Sequence, residues 1–394
     1  MKSYSMFKIF FVFLKLGLIC FGGPIAHLGF FHHEFVEKRR WIDEKTYMDL
    51  VSLCQTLPGP ASSQVAISIG IKEHGLLGGI AAIVGFILPS VIIMILAAYG
   101  LYLFGHQLNA PWLHGLKIAV VAVIAQAILN MGKRFCTDVI RIIITVIATA
   151  IAVYFTNFIG QISVIIMGAV IGTLFLNIPH TKVTPVHFLQ NIISFRSAII
   201  CWGLFFIILI SVPIINSVLD NRLISLFNIF YRTGSVVFGG GHVVLPLLQS
   251  QIVTPGWIDN NIFLAGYGLT QAVPGPLFSF AGFLGTAIKP NSIGWLIGLF
   301  CTFAIYLPSF LILIGVLPLW EKYRHHSIFQ TILAGISAAV VGLLIAAFYN
   351  PVWTTTILSF YDFVISFTAF LLLQFMRWPQ WLIVFLCVLA RSII

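Results

Sequence analysis

Hydrophobic positions in this 394-residue chain come in long blocks separated by short polar stretches. Apolar runs occupy about Phe7 to Phe30, Tyr47 to Ile71, Leu76 to Phe104, Leu113 to Met131, Val139 to Phe155 and Ile159 to Ile178. Each is close to the roughly 20 residues that a helix needs to cross the hydrocarbon of a bilayer. A polar stretch from Pro179 to Arg196, carrying Lys182, Pro185, His187 and Asn191, interrupts the series. A run from Ala198 to Val218 then follows that has no counterpart in the first half. Six more come after it, at about Leu223 to Leu248, Ile262 to Ile288, Ile293 to Leu319, Ile328 to Tyr349, Val352 to Phe375 and Trp381 to Ile394. The pattern predicts an all-α polytopic membrane protein of about 13 transmembrane helices. It divides into a first repeat over 1–178, a linker with an unpaired central span over 179–219, and a second repeat over 220–394. Seven crossings, an odd number, separate the two repeat starts, so the repeats are expected to be inverted.

The polar and helix-breaking positions inside these runs are themselves duplicated. Phe-Gly-Gly-Pro at Phe21 to Pro24, Trp-Ile-Asp at Trp41 to Asp43 and Pro-Gly-Pro at Pro58 to Pro60 form the first set. They return as Phe-Gly-Gly-Gly at Phe238 to Gly241, Trp-Ile-Asp at Trp257 to Asp259 and Pro-Gly-Pro at Pro274 to Pro276. Leu-Pro-Ser at Leu88 to Ser90 and Leu307 to Ser309 extends the match. Lipid cannot hydrogen-bond a freed backbone, so a break at membrane depth persists only where protein or a wet cavity satisfies it. Pro58 lies eleven residues past Tyr47, roughly 16 Å along a helix and close to mid-bilayer. Discontinuous helices around a central cavity are therefore expected, as in secondary transporters built from repeats.

Composition agrees with a bilayer protein: 60% of residues are hydrophobic and 8% charged, too little polar surface for a soluble globule. The net charge of +10 is scattered over short loops, without the basic stripe and interleaved aromatics of a nucleic-acid binder. Eleven Lys and Arg residues on the N-terminal side against seven on the other favour a cytoplasmic N-terminus. The six cysteines stand singly and read as small buried hydrophobes. No metal site or cofactor is expected. The apolar start, Met6 to Cys20, runs straight into the first glycine motif and is expected to remain as a span.

Candidate binding groups follow from the breaks. Half-helices that start at Gly22, Gly23 and Pro24, at Pro58, Gly59 and Pro60, at Gly239, Gly240 and Gly241, and at Pro274, Gly275 and Pro276 would aim unpaired N–H groups at an anion. A helix end offers only about 0.3 to 2 kcal/mol, so fixed cations should assist. Lys15 and Arg232, inside spans at the same repeat offset as the glycines, are the candidates. Lys117, nearer the start of its run, is expected to snorkel. Gln55 and Gln271, three residues before each Pro-Gly-Pro, could donate to substrate oxygens or bond the broken backbone. His242 and His27 read equally as packing groups or as an oxyanion donor and a proton carrier. Asp362, midway along its apolar run, reads as a coupling group or as the partner of a buried cation.

The string Phe-Gly-Gly-Pro-x-Ala-His, then Arg-Arg-Trp-Ile, then Leu-Cys-Gln-Thr-Leu-Pro-Gly-Pro resembles the first half of the chromate transporter family. The second set, from Phe238 through Gly285, resembles the partner half of its long, two-domain members. The resemblance implies export of chromate across the bacterial plasma membrane, with sulfate as the natural isostere. Expulsion of a dianion from an inside-negative cell releases about 4.6 kcal/mol per 100 mV, so membrane potential could drive it, with ion gradients as the alternative. The partners expected are an inorganic oxyanion and the lipid bilayer, with a homodimer as an open alternative and no nucleic acid. Two rival readings are an intramembrane enzyme acting on a lipid-linked substrate and an anion channel. The first lacks paired acids, a His-Glu-x-x-His helix or a Ser-His arrangement.

Overall fold

The structure, a computed structural model, describes residues 5–104, 111–177, 193–219, 221–238, 240–320 and 326–393. The described residues are helical throughout, with no strand among them. The elements in the first half are α1 (Met6–Ile19), α2 (Gly23–His32), α3 (Glu44–Thr56), α4 (Ala61–Phe104), α5 (Pro111–Phe135), α6 (Val139–Tyr154) and α7 (Phe158–Phe175). Then come α8 (Phe195–Val218), α9 (Arg222–Val236), α10 (Val244–Ile252), α11 (Asn260–Ala272), α12 (Phe280–Ile288), α13 (Gly294–Val316), α14 (Ser327–Ala347), α15 (Phe360–Gln374) and α16 (Gln380–Ile393).

Local chemistry sets the boundaries. The aspartate of each Trp-Ile-Asp motif is a helix cap: Asp43 accepts from Thr46 N at 3.0 Å and Asp259 from Asn261 N at 2.7 Å. Each thereby satisfies an otherwise orphaned donor at the start of α3 or α11. Asp138, Asn157, Ser194 and Asn221 cap α6, α7, α8 and α9 in the same way. The glycine and proline motifs terminate helices as expected. α1 stops before Phe21, and α3 and α11 each stop just before a Pro-Gly-Pro. α4 is interrupted at His74 and Gly75, where Gly75 has φ +61°, and it folds back so that Gly70 packs on Gly78.

The span count is where structure and pattern part. Among the described residues six helices are long and apolar enough to cross a membrane, and four shorter apolar helices accompany them. Runs that read as single spans, such as Phe7 to Phe30 and Tyr47 to Ile71, are pairs of short helices on either side of a break. The central run forms α8, whose most apolar window is only 11% buried inside the protein. It packs on α9 and α13 and leaves Ile199, Ile207, Ile210 and Ile214 outward, the surface that suits lipid.

Packing between the halves is reciprocal. α5 packs against α15 and α16, while α14 packs against α6 and α7. Small residues permit the approach: Gly335 on α14 meets Gly168 and Gly172 on α7, and Gly115 on α5 meets the backbone at Cys387 and Val388 on α16. The motifs are reciprocal too. Gly59 N donates to Val237 O at 2.7 Å, and Gly275 N donates to Cys20 O at 2.8 Å. Each Pro-Gly-Pro turn therefore bonds to the residue just before the Phe-Gly-Gly motif of the other half. Gly59 has φ +116° and Gly275 φ +106°. A Cβ at Gly59 would sit 2.8 Å from Ser309 Cβ, and one at Gly275 2.9 Å from Ser90 Cβ. The duplicated Leu-Pro-Ser motif thus supplies the surface on which the opposite turn rests.

Candidate functional site

The first Pro-Gly-Pro turn borders a cavity of about 280 Å³. The start of α2 reaches it through Gly22, Gly23 and Pro24, the end of α3 through Gln55, and the following turn through Gly59 and Ala61. From the second half come Gly240 and His242, where the chain re-enters helix, and Gln380 at the start of α16. α5 closes the side with Gln126, Asn130 and Arg134. α2 begins at Gly22 with no side-chain cap, so the N–H groups of its first turn are free to face a ligand. Gly240 likewise precedes the short 3₁₀ turn Gly241–Val243 without a side-chain cap. Two uncapped starts, one from each half, meet at one cavity with their positive dipole ends.

Arg134 is the one charged side chain lining this cavity among the described residues. It lies at the accessible end of α5, where its Nη2 donates to Gln55 Oε1. Gln126 donates through Nε2 to Leu373 O at 2.9 Å, which fixes α5 against α15. His242 Nδ1 lies 2.8 Å from the Tyr267 hydroxyl. The set comprises a guanidinium, three carboxamides besides Gln126, an imidazole and free backbone N–H groups. Its donors match an anion with several oxygens, and guanidinium forks suit planar or bidentate contact with such oxygens.

The structure thus assembles Gly22, Gly23, Pro24, Gln55, Gly59, Gly240 and His242. Pro58 and Pro60 flank Gly59 in the turn. Gln55 meets Arg134 and leaves the broken backbone to Gln64, whose Nε2 donates to Pro58 O at 2.8 Å and Ser309 Oγ at 2.9 Å. Gln271, Pro274, Gly275 and Pro276 line no part of the cavity, and Gln271 is buried with its Nε2 3.2 Å from Thr270 Oγ1. Gly241 packs on Leu277. Gly239 lies outside the described residues. His27 is fully buried with Nδ1 3.3 Å from Ser62 Oγ and its ring edge on Phe86.

The expected cation pair does not converge on the cavity. Lys15 is exposed on α1, on the side opposite the buried stripe Ile9, Val12, Phe13 and Leu16. The Arg232 guanidinium stacks 4.1 Å from the centre of the Phe158 ring. Two further expectations are corrected. Asp362 is not deep in a span but in the first turn of α15, where it forms a capping box with Ser359. Its Oδ1 lies 3.0 Å from His114 Nε2 and 3.2 Å from Arg391 Nε. Lys117 does not snorkel: it is buried and donates to Asn261 Oδ1 at 2.9 Å, because α11 supplies a partner nearer than the interface.

Arg134 was absent from the expected set because the apolar run ends at Met131 and Lys133-Arg134 reads as a loop pair. The helix continues to Phe135. The available signal was the spacing of Gln126, Asn130 and Arg134, four apart, which puts three polar groups on one stripe of an apolar helix.

Comparison with known proteins supplies the class. The family described as "Chromate transporter" matches residues 7–173 and again 224–391. A chromate transport protein of Pseudomonas aeruginosa is 27% identical over 86% of this chain and 79% of its own length. A probable chromate transport protein of Synechococcus elongatus is 27% identical over 88% of this chain and 84% of its own. An uncharacterized transporter of Methanocaldococcus jannaschii is 28% identical over 87% and 83%. No solved structure matches. These relatives are named as transporters, not enzymes, and the two family matches together cover most of the chain. This multi-pass membrane protein belongs to the chromate transporter family.

Proposed function

We propose that the chain moves chromate, or a similar tetrahedral oxyanion such as sulfate, across the bacterial plasma membrane by alternating access. The observation that carries this reading is the convergence of Arg134, Gln55 and two uncapped helix starts on one cavity between the halves. Gln55 holds the guanidinium at the cavity wall, so one N–H edge is spent on the protein and the remainder can meet the ion. The backbone N–H groups of Gly22, Gly23 and Gly240 then take further oxygens. The proposal retains the inverted relation of the two repeats, with about 13 crossings once broken helices are counted as pairs. Reciprocal packing of α5 and α14 supports a repeat relation of this kind. Export follows from charge: a dianion leaving an inside-negative compartment runs downhill. A homodimer in the bilayer is compatible with the exposed face of α8.

Flux of radiolabelled sulfate and of chromate into proteoliposomes tests the site. Loss of a charge-assisted hydrogen bond costs about 1.5–3 kcal/mol, so Arg134→Gln should weaken binding by about 10- to 100-fold while Arg134→Lys retains part of it. Flux should saturate with concentration, as for a carrier. Wild-type binding and flux in R134Q would remove the site, and flux linear in concentration would favour a channel.

A further inference from the structure

A second cavity, of about 360 Å³, shares no lining residue with the first. Gln161 of α7, Gln249 and Ser250 of α10, Asn260 at the start of α11, and Asn350 and Thr355 beyond α14 supply much of its wall. None of its lining residues is charged. Asn261, adjacent to Asn260, is bonded to Lys117 near the start of α5, whereas Arg134 of the first cavity lies near the end of that helix. Seventeen helical residues separate them, about 25 Å. The two cavities therefore lie toward opposite ends of α5.

Its polar groups are held in a chain. Gln161 Nε2 donates to Pro246 O at 2.9 Å, and Gln161 Oε1 accepts from Ser250 Oγ at 3.2 Å. Gln249 Nε2 donates to Asn260 Oδ1 at 2.9 Å, and Asn260 Nδ2 approaches Thr355 Oγ1 at 3.3 Å. Each carboxamide carries two N–H groups. Gln161, Gln249 and Asn260 thus each keep one to spare, while the oxygens of Gln161 and Asn260 already accept. The wall thus presents spare N–H donors alongside unspent oxygen lone pairs, the Gln249 carbonyl among them. Gln161 and Gln249 are 6% and 7% exposed, and a donor so enclosed is costly unless something accepts from it. Two cations lie near the site: Lys117 on Asn261, the residue after Asn260, and Arg232 on Phe158, which lies one turn before Gln161. The nearby Asp259 carboxylate caps α11 by accepting from the Asn261 N–H through one oxygen, and its charge offsets that of Lys117.

Building on the function proposed above, we infer that this cavity is a second, uncharged station for the same tetrahedral oxyanion. An ion with four acceptor oxygens fits a cluster of spare amide N–H groups. Without an arginine at the wall it is held weakly, which suits the end of the path where the ion is released. The Arg134 cavity captures and the carboxamide cavity lets go.

Equilibrium binding of radiolabelled sulfate to the purified full-length chain, with chromate as competitor, tests this alongside proteoliposome flux. The wild type should bind two ions, the second at least tenfold more weakly. Gln249→Leu should abolish the weak site, leave the tight one unchanged and lower flux at least fivefold. Thr254→Val, which removes a hydroxyl from the same wall, should weaken the second site severalfold and serves if Q249L fails to fold. One binding site in the wild type, or two intact sites with full flux in both variants, would overturn the inference. So would Na⁺ or K⁺ dependence of flux that Q249L or T254V abolishes, since the cavity would then hold a cation. Loss of the tight site belongs to R134Q alone, so failure of the capture site is read separately from failure of this one.

Discussion

Two glycines with positive φ separate backbone strain from crowding. Gly75 has φ +61° and open space where a Cβ would go, whereas Gly59 has φ +116° and the Ser309 side chain in that space. With ψ −157° Gly75 lies outside the left-handed helical well, in a region essentially confined to glycine, where another residue stores about 1–3 kcal/mol. Gly75→Ala should therefore cost about that much, while Gly59→Ala should cost about 3 kcal/mol or more, measured as thermal unfolding in detergent. Ser309→Gly should restore part of the G59A loss and none of that in G75A. Lys15 and Arg134 show what side-chain direction adds to depth. The repeat offset marks Lys15, yet the buried positions Ile9, Val12, Phe13 and Leu16 already define the inward face of α1 and leave Lys15 off it. We expect Lys15→Gln to keep sulfate flux within twofold of wild type. A tenfold loss would return Lys15 to the substrate path.

Breaks in helices were legible because proline and glycine act locally, and the Trp-Ile-Asp motif is legible in retrospect as a helix cap. Span lengths were not. A run of apolar residues looks the same whether one helix crosses or two short ones meet at a turn, as α3 and α4 do around Pro-Gly-Pro. Nor does sequence tell which broken backbone has a partner. Gln64 stitches the first turn to α13, but the residue 216 positions on is Phe280, so the second turn lacks that side chain. The orientation of matched elements can be read directly. In a background without the six native cysteines, Thr137→Cys lies between α5 and α6 and Leu358→Cys between α14 and α15, both exposed. Inverted repeats place them on opposite faces, so an impermeant thiol reagent should label one from outside intact cells and the other only after lysis. Labelling of both from one side would mean parallel repeats.

Across the whole molecule, neither half is closed by itself. α5 rests on α15 and α16, α14 rests on α6 and α7, and each Pro-Gly-Pro turn finds its acceptor in the other half. These contacts join residues far apart in sequence, so no local pattern announces them, and the cavity with both glycine motifs in its wall was foreseeable only as an expectation from duplication. The chain should tolerate being cut between Phe175 and Ser194. Two pieces made together should copurify and recover at least half of the wild-type flux, whereas either piece alone should aggregate. Pieces that stay apart would show that the linking chain is needed for assembly. The exchange of hydrogen bonds between Gly59 and Val237, and between Gly275 and Cys20, thus bears on inheritance. A gene for such a protein could split into two cistrons, or arise by fusing a pair, and the product would keep its shape.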